Sequence, residues 1–466
     1  MDQVPADLRE CLCRFGQDHV LDFWDQLHAQ QRQKLVDQLR LLELEELQRL
    51  FQKRHEPATL PAPHQIEPVK LGLPVDRSES ELCTLGKQAL DRGEVALLVV
   101  AGGQGSRLGF DKPKGMFPVT PVKQKTLFQL HAEKVRALRQ RHSGQPIPFL
   151  IMTSPATHAD TLDYFKQEKF FGLPQDELFF IQQGTMPALC LETGKLLLEA
   201  PHQVFASPNG HGGMLTALAE SGVLATLHKR GIRQLFYFQV DNPLIKLADP
   251  LFLGQHLAAH AEVSSKAVPK LDPLDRLGNL VVVDGRCTII EYSDMPRSLA
   301  ELRDETGELR YRAGSPAIHF FALEFLERIT QKPDALPFHL ARKKVPHIDR
   351  AGRAIEPEKE NALKFERFIF DVLPLAERWT VVETSYAEEF APLKNASGAD
   401  SPQAVAQAQS DFFAGWLEEA GVQVPRQEGK SAVPIEISPL YALDADELAA
   451  KVDRSLKVAG PLYLGS

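Results

Sequence analysis

Leu97-Leu98-Val99-Val100-Ala101-Gly102-Gly103-Gln104-Gly105-Ser106-Arg107-Leu108-Gly109, closed by Lys112-Pro113-Lys114-Gly115-Met116, decides how this chain is read. An apolar run ends in three glycines within four residues, and then an arginine and two lysines arrive. Glycine lets backbone N–H groups approach a ligand closely, because no Cβ stands in the way. Fixed cations beside such a turn neutralise phosphate charge. From residue 107 to 125 there are five basic side chains, Arg107, Lys112, Lys114, Lys123 and Lys125, against one acid, Asp111. In a chain of formal charge -9 that local reversal points to an anionic ligand, and a nucleoside triphosphate is the natural candidate.

Outward from this turn, strands alternate with helices. Val95–Ala101 reads as a buried strand and Thr126–Gln140 as a helix. Pro148–Ser154 is the next strand, Thr157–Lys169 the next helix, and Leu178–Gln182 and Gln234–Val240 are further strands. The alternation predicts an α/β fold, a mostly parallel sheet with helices on both faces. Ligands in such sheets bind beyond the carboxyl ends of the strands, where Gly102 and Asp241 both fall. From about Lys266 to Phe321 the pattern changes to short strands with turn signals such as Asp284-Gly285. His319-Phe320-Phe321 reads as core.

Residues from about 6 to 54 read as helices, since apolar residues recur at helical spacing in 20–27 and 35–42. A proline-rich connector follows, with Pro57, Pro61, Pro63, Pro68 and Pro74, where turns or extended chain are expected. After Asp371 a smaller unit begins, containing Pro434-Ile435-Glu436-Ile437-Ser438-Pro439-Leu440. The small-residue stretch Ser397–Ser410 reads as a loop. The expected division is 1–75, an N-terminal helical region with its linker, 76–372, a central nucleotide- and sugar-binding catalytic domain, and 373–466, a small C-terminal domain.

At 466 residues, 43% hydrophobic and 25% charged, the composition is that of a soluble globular protein too long for a single core. No uninterrupted apolar run is long enough to span a bilayer, and Met1-Asp2-Gln3-Val4-Pro5 lacks the features of a signal peptide. The five scattered cysteines read as reduced thiols, which together with the missing signal predicts a cytoplasmic protein. The acidic balance argues against nucleic acid as the main partner.

Two common phosphate loops do not fit. G-x-G-x-x-G counted from Gly103 needs glycine where Leu108 stands, and a Walker A loop needs a lysine followed by Ser or Thr at a spacing absent here. Strand, then G-G-x-G-x-R-L-G, then P-K-G resembles the sugar-nucleotide pyrophosphorylases of the UTP-using branch, above all the UDP-N-acetylhexosamine pyrophosphorylases, and the resemblance covers nearly the whole chain. It implies a Rossmann-like, GT-A-like nucleotidyltransferase fold. It also implies an enzyme that joins UTP to a sugar 1-phosphate, with N-acetylglucosamine 1-phosphate the leading substrate, through in-line attack on the α-phosphate. Such a reaction rests on positioning and charge neutralisation and needs no protein nucleophile.

Residue by residue, the resemblance gives Val100, Ala101, Gly102 and Gly103 to the uridine nucleotide, and Arg107 and Lys114 to its phosphates. Gln183, in Gln182-Gln183-Gly184-Thr185, matches the uracil-reading amide, which offers both a donor and an acceptor. Gly210 and Gln239 match nucleotide contacts. Gln239-Val240-Asp241-Asn242 matches the metal segment, with Asp241 holding Mg²⁺ through its carboxylate while phosphates and water complete the shell. Glu291-Tyr292 matches the pair that meets sugar hydroxyls. Lys364 and Lys394 match phosphate-binding lysines, the second carried on the C-terminal part, so that its closure would couple binding to lobe movement.

Two positions depart from the acetylhexosamine pattern. His211, in Gly210-His211-Gly212, stands where those enzymes carry asparagine and matches UDP-glucose and broad-specificity UDP-sugar pyrophosphorylases. Ser315 replaces a sugar-facing asparagine. Glucose 1-phosphate or several sugars therefore stand as a second reading of the substrate, and a non-catalytic sugar-nucleotide-binding homologue as a third. UTP, a sugar 1-phosphate and Mg²⁺ are the expected partners, with no nucleic acid and no membrane, in a monomer or homodimer.

Overall fold

The computed structural model describes residues 3–56, 60–72, 77–332 and 335–465; Met1, Asp2, Pro57, Pro74 and the boundary expected at 75/76 lie outside them. The chain forms two compact units. One comprises Met1–Thr59, Gln183–Met214 and Leu336–Ile369, and the larger comprises Leu60–Gln182, Leu215–Ala335 and Phe370–Ser466.

The larger unit is built on an 11-stranded mixed sheet. Its parallel part runs Gln234–Gln239, Val95–Val100, Phe149–Thr153, Leu178–Gln182 in spatial order. All six residues of Val95–Val100 are buried. A strand covered on both faces reads as an unbroken apolar run rather than an alternation. The crossover helix Leu127–Arg141 starts where the Thr126 hydroxyl accepts the Gln129 N–H, and Pro155–Gln167 where the Ser154 N–H donates to the Thr157 hydroxyl. Beyond Gln234–Gln239 the sheet turns antiparallel through His319–Ala322, Val263–Pro269, Ala313–Ser315 and Gly278–Val283. The hairpin from Gly278–Val283 to Arg286–Ile290 turns at Asp284 and Gly285, whose φ values of 48° and 75° suit the tight two-residue turn expected there. Phe128, Phe149, Phe165, Phe236, Phe238 and Phe320 fill the core around the parallel strands. His319 is 1% exposed and shares a hydrogen bond with the Ser265 hydroxyl.

The sheet continues past residue 372: Trp379–Glu383 pairs parallel with Val263–Ala267. Farther on, Ile435–Ile437, Leu462–Leu464 and the helix Pro402–Glu419 bury a cluster of their own around Leu417, Ile435, Ile437 and Leu448. That helix corrects the loop expected over Ser397–Ser410. Ser401 accepts the Ala404 N–H, Pro402 occupies the first turn, and Val405, Gln409, Ala414 and Leu417 are buried, so small residues here serve close packing.

In the smaller unit, the helices Ala6–Arg14, Ala29–Arg40 and Leu44–Gln52 bury Leu12, Leu35, Leu39 and Leu47 with Leu189, Leu198, Leu363 and Phe365. The N-terminal helices thus share a core with residues that follow them by well over a hundred positions. A three-stranded sheet, His339–Lys343, Ala362–Glu366 and Leu189–Cys190, completes this unit. Among the described residues no helix is long and apolar enough to cross a membrane.

Candidate active site

At the end of Val95–Val100 the chain folds back on itself. The Ala101 N–H donates to the Met152 carbonyl at 2.7 Å, and the Ser154 hydroxyl to the Gly102 carbonyl at 2.8 Å. The Lys114 N–H donates to the Gly103 carbonyl at 3.0 Å and the Gly105 N–H to the Lys112 carbonyl at 2.9 Å. The glycine turn and the lysine segment are therefore one unit of structure. A Cβ at Gly103 would meet nothing within 4 Å, so this stretch of backbone is open to a ligand. Gly115 is the opposite case, since a Cβ there would lie 2.3 Å from the Phe128 ring. Arg107, in the short turn Ser106–Leu108, is exposed and has no partner among the described residues.

Asp241 follows Gln234–Gln239, the strand next to Val95–Val100. Its Oδ2 accepts from Lys114 Nζ at 3.0 Å, with the two side chains 17% and 20% exposed. Its carbonyl accepts the Leu393 N–H at 2.8 Å, which brings Lys394 to the same end of the sheet. The Asp400 carboxyl is pushed up by burial, restrained by Lys394 and raised further by the like charge of Asp241. Lys394 thus lies in the same compact unit as Asp241 and is tied to it through its neighbour, which corrects the separate lobe the sequence suggested.

Gln239 pairs with Val100 across the strands, and its Nε2 donates to the Tyr237 hydroxyl at 2.7 Å. Glu291 and Tyr292 follow Arg286–Ile290, and Ser315 lies opposite Gly278. A Cβ at Gly278 would stand 3.4 Å from Glu291 Oε1, so Ser315, Gly278 and Glu291 are neighbours. Tyr292 is 45% exposed, and the Ser315 hydroxyl accepts the Ala317 N–H at 3.3 Å.

Two of the five basic residues counted in 107–125 are engaged elsewhere. Lys125 Nζ pairs with Glu133 at 2.7 Å and donates to the Tyr463 hydroxyl at 3.3 Å, and Lys123 Nζ lies 4.7 Å from the Tyr463 ring centroid. The Val122 and Lys123 N–H groups both donate to Glu436. That half of the basic run docks the C-terminal elements, and only the half around Arg107 and Lys114 belongs to the glycine turn.

The remaining candidates lie in the smaller unit. Gln183 is buried, and Gly184 beside it accepts the Asn209 N–H at 3.1 Å. Gly210 has φ 84° and would place a Cβ 2.4 Å from the Arg367 carbonyl oxygen. Glycine is required there for the chain's own packing. His211 Nδ1 accepts the Ile369 N–H at 3.1 Å and the ring stacks on Phe368, while burial pushes its pKa down to about 4. The neutral ring therefore carries its proton on Nε2. Lys364, on Ala362–Glu366, lies 5.0 Å from the Phe205 ring centroid; burial lowers its pKa, Glu366 opposes and Lys343 adds to the lowering.

Sequence reasoning missed a buried ionic cluster of Lys266, Asp249 and Glu389, which Asn242, next to Asp241 in the chain, joins through the Glu389 carbonyl. Asn242 stands in the segment that matches the metal site, but no motif in the sequence singles out Lys266, Asp249 or Glu389. Among the described residues no group of three or more His, Cys, Asp or Glu side chains is arranged for a metal. A single strand-end carboxylate suits Mg²⁺, which takes one or two carboxylates and completes its shell with phosphates and water. Asp241 fits, because Oδ1 has no partner among the described residues.

The family model for UTP--glucose-1-phosphate uridylyltransferase matches residues 47–447. A UDP-N-acetylhexosamine pyrophosphorylase-like protein 1 of Homo sapiens is 36% identical over 437 residues, 90% of this chain and 86% of that protein. A UDP-N-acetylglucosamine pyrophosphorylase of Saccharomyces cerevisiae is 36% identical over 382 residues, 80% of this chain and 79% of that one. The crystal structure of the uridine diphosphate N-acetylglucosamine pyrophosphorylase from Trypanosoma brucei in complex with inhibitor gives a TM-score of 0.82 at 25% identity, covering 100% of this chain and 99% of that chain. Matched over most of its length by the family model and by these relatives, the chain belongs to the UTP--glucose-1-phosphate uridylyltransferase family.

Proposed function

We propose that this chain is a cytoplasmic uridylyltransferase, monomer or homodimer, that joins UTP to N-acetylglucosamine 1-phosphate and releases pyrophosphate and UDP-N-acetylglucosamine. The observation that carries the reading is the Lys114–Asp241 pair at 3.0 Å, set at the carboxyl ends of adjacent parallel strands beside a glycine turn open to a ligand. The names of its relatives supply the substrate.

Two polyanions must meet, so the chain's task is to hold them in line and lower their repulsion. Backbone N–H groups of Gly102 and Gly103 take the nucleotide, with Val100, Ala101 and Gln239 shaping its seat. Arg107 and Lys114 face the β- and γ-phosphates and stabilise the departing pyrophosphate. Lys394 meets the phosphate that attacks, and Lys364 a further phosphate oxygen. Mg²⁺ on Asp241 would draw charge from the α-phosphate. Lys114 then exchanges part of its pairing with Asp241 for phosphate as substrate binds. Glu291 accepts from sugar hydroxyls beside Tyr292, and Ser315 sits next to them. Gln183 reads uracil, Gly210 meets the nucleotide and His211 the sugar, each assigned by resemblance. Pyrophosphate release from UTP with a panel of sugar 1-phosphates tests the reading: N-acetylglucosamine 1-phosphate is expected to be the best substrate, and no release with any sugar 1-phosphate overturns it.

A further inference from the structure

Lys266 and Glu389 are charged groups with side chains only 3% and 1% exposed. Lys266 Nζ donates to Glu389 Oε2 and to Asp249 Oδ2, the latter at 3.0 Å. Every acceptor of Glu389 is used. Oε1 takes the Lys246 N–H at 3.2 Å, Oε2 also takes the Thr384 hydroxyl at 3.0 Å, and the backbone carbonyl takes Asn242 Nδ2 at 2.7 Å. Asn242 Oδ1 in turn accepts the Ala391 N–H at 3.1 Å, and the Leu393 N–H reaches the Asp241 carbonyl at 2.8 Å. The segment leading to Lys394 is therefore laced to the segment carrying Asp241 through Glu389 and Asn242.

Burying ions is costly, and an apolar pair of similar volume often stabilises a fold as well or better. What a fully satisfied buried network supplies is a single geometry. Here that geometry is the separation between a phosphate-binding lysine and the strand-end carboxylate. Neither Lys266 nor Glu389 is itself a candidate for contact with substrate, since both side chains are almost fully buried.

We propose that Lys266 and Glu389 are a positioning pair that holds Lys394 in register with Asp241. The proposal rests on the uridylyltransferase reading, in which both of those residues meet the reacting phosphates. With the pair intact the phosphate-binding lysine and the metal-binding carboxylate stand ready before substrate arrives; without it the 389–394 segment samples other positions and the attacking phosphate loses its guide.

The test uses the full chain carrying Lys266→Met with Glu389→Gln, which removes both charges of the pair and leaves Asp249 to the Leu251 N–H and the nearby Lys246, and separately Thr384→Val, a mild change that removes one donor to Glu389. Amide hydrogen exchange and steady-state kinetics are measured on each at a temperature where circular dichroism shows it folded. In the double variant, exchange at Ala391 and Leu393 is expected to rise about tenfold or more while Leu97–Val99 stays protected. Its kcat is expected to fall about 30-fold with the KM for sugar 1-phosphate changed less than about threefold. Thr384→Val is expected to move both quantities in the same direction by about threefold, and it carries the test alone if the double variant does not fold. Unchanged exchange at Ala391 and Leu393 overturns the linkage. Raised exchange with unchanged kcat overturns its role in the reaction. An unsubstituted chain that releases no pyrophosphate overturns the functional reading itself, and that result is seen before any variant is made.

Discussion

Lys114 and Asp241 stand 127 positions apart in the chain and meet because two parallel strands deliver them side by side. Their pairing gives the sharpest prediction at the residue scale. Asp241→Asn keeps the volume and removes the charge, so turnover is expected to drop by about 10²-fold or more in a pyrophosphate-release assay, with the melting temperature little changed. Near-normal turnover removes Asp241 from its assigned role. Lys394→Ala is expected to lower kcat similarly, and an unaltered rate returns that lysine to the solvated surface. Ser315 lies beside Glu291, and its short hydroxyl already accepts the Ala317 N–H. Ser315→Asn is expected to raise the kcat/KM ratio for N-acetylglucosamine 1-phosphate over glucose 1-phosphate by about tenfold. No change in that ratio ends its part in sugar choice.

Among the elements, the turn after Val100 and the helix after Ser401 teach opposite lessons. The turn was legible because its glycines, arginine and lysine sit within one short stretch, and local chemistry dominates there. Even so, the basic run split in two: Lys125 pairs with Glu133 and Lys123 packs on Tyr463, a residue more than three hundred positions away. The first half of the helix Pro402–Glu419 reads as loop from its sequence, because its alanines and serines show little amphipathic stripe until Val405, Ala414 and Leu417 find their partners. Ser401→Ala is expected to cost about 1 kcal/mol in urea unfolding through loss of the cap.

For the whole molecule, the half-buried Lys134 links stability to pH. Its Nζ donates to the Pro243 and Ile245 carbonyls at 2.6 and 2.7 Å, in the loop that follows Asp241. Burial pushes its pKa down from 10.5 to about 7, with Glu389 opposing. Between those two values the unfolded chain binds more protons at this site than the folded one. Stability therefore rises with pH across that window and is lost as pH falls toward 7. Melting temperatures measured from pH 7 to 10 are expected to carry this increment, and Lys134→Met to remove it.

The sequence alone determined the parallel strands and the phosphate turn at their ends, because those depend on short-range patterns: apolar runs, glycines beside cations, and an aspartate closing a strand; the class of reaction came from the resemblance those motifs carry. Only the tertiary structure decided which lysines face the turn and which are tied to the C-terminal elements. It also grouped the N-terminal helices with Gln183–Met214 and Leu336–Ile369, and tied the Lys266–Glu389 pair to Asn242, next to Asp241. Those outcomes depend on which distant side chains share a buried, low-dielectric space, and no local spacing in a chain encodes that.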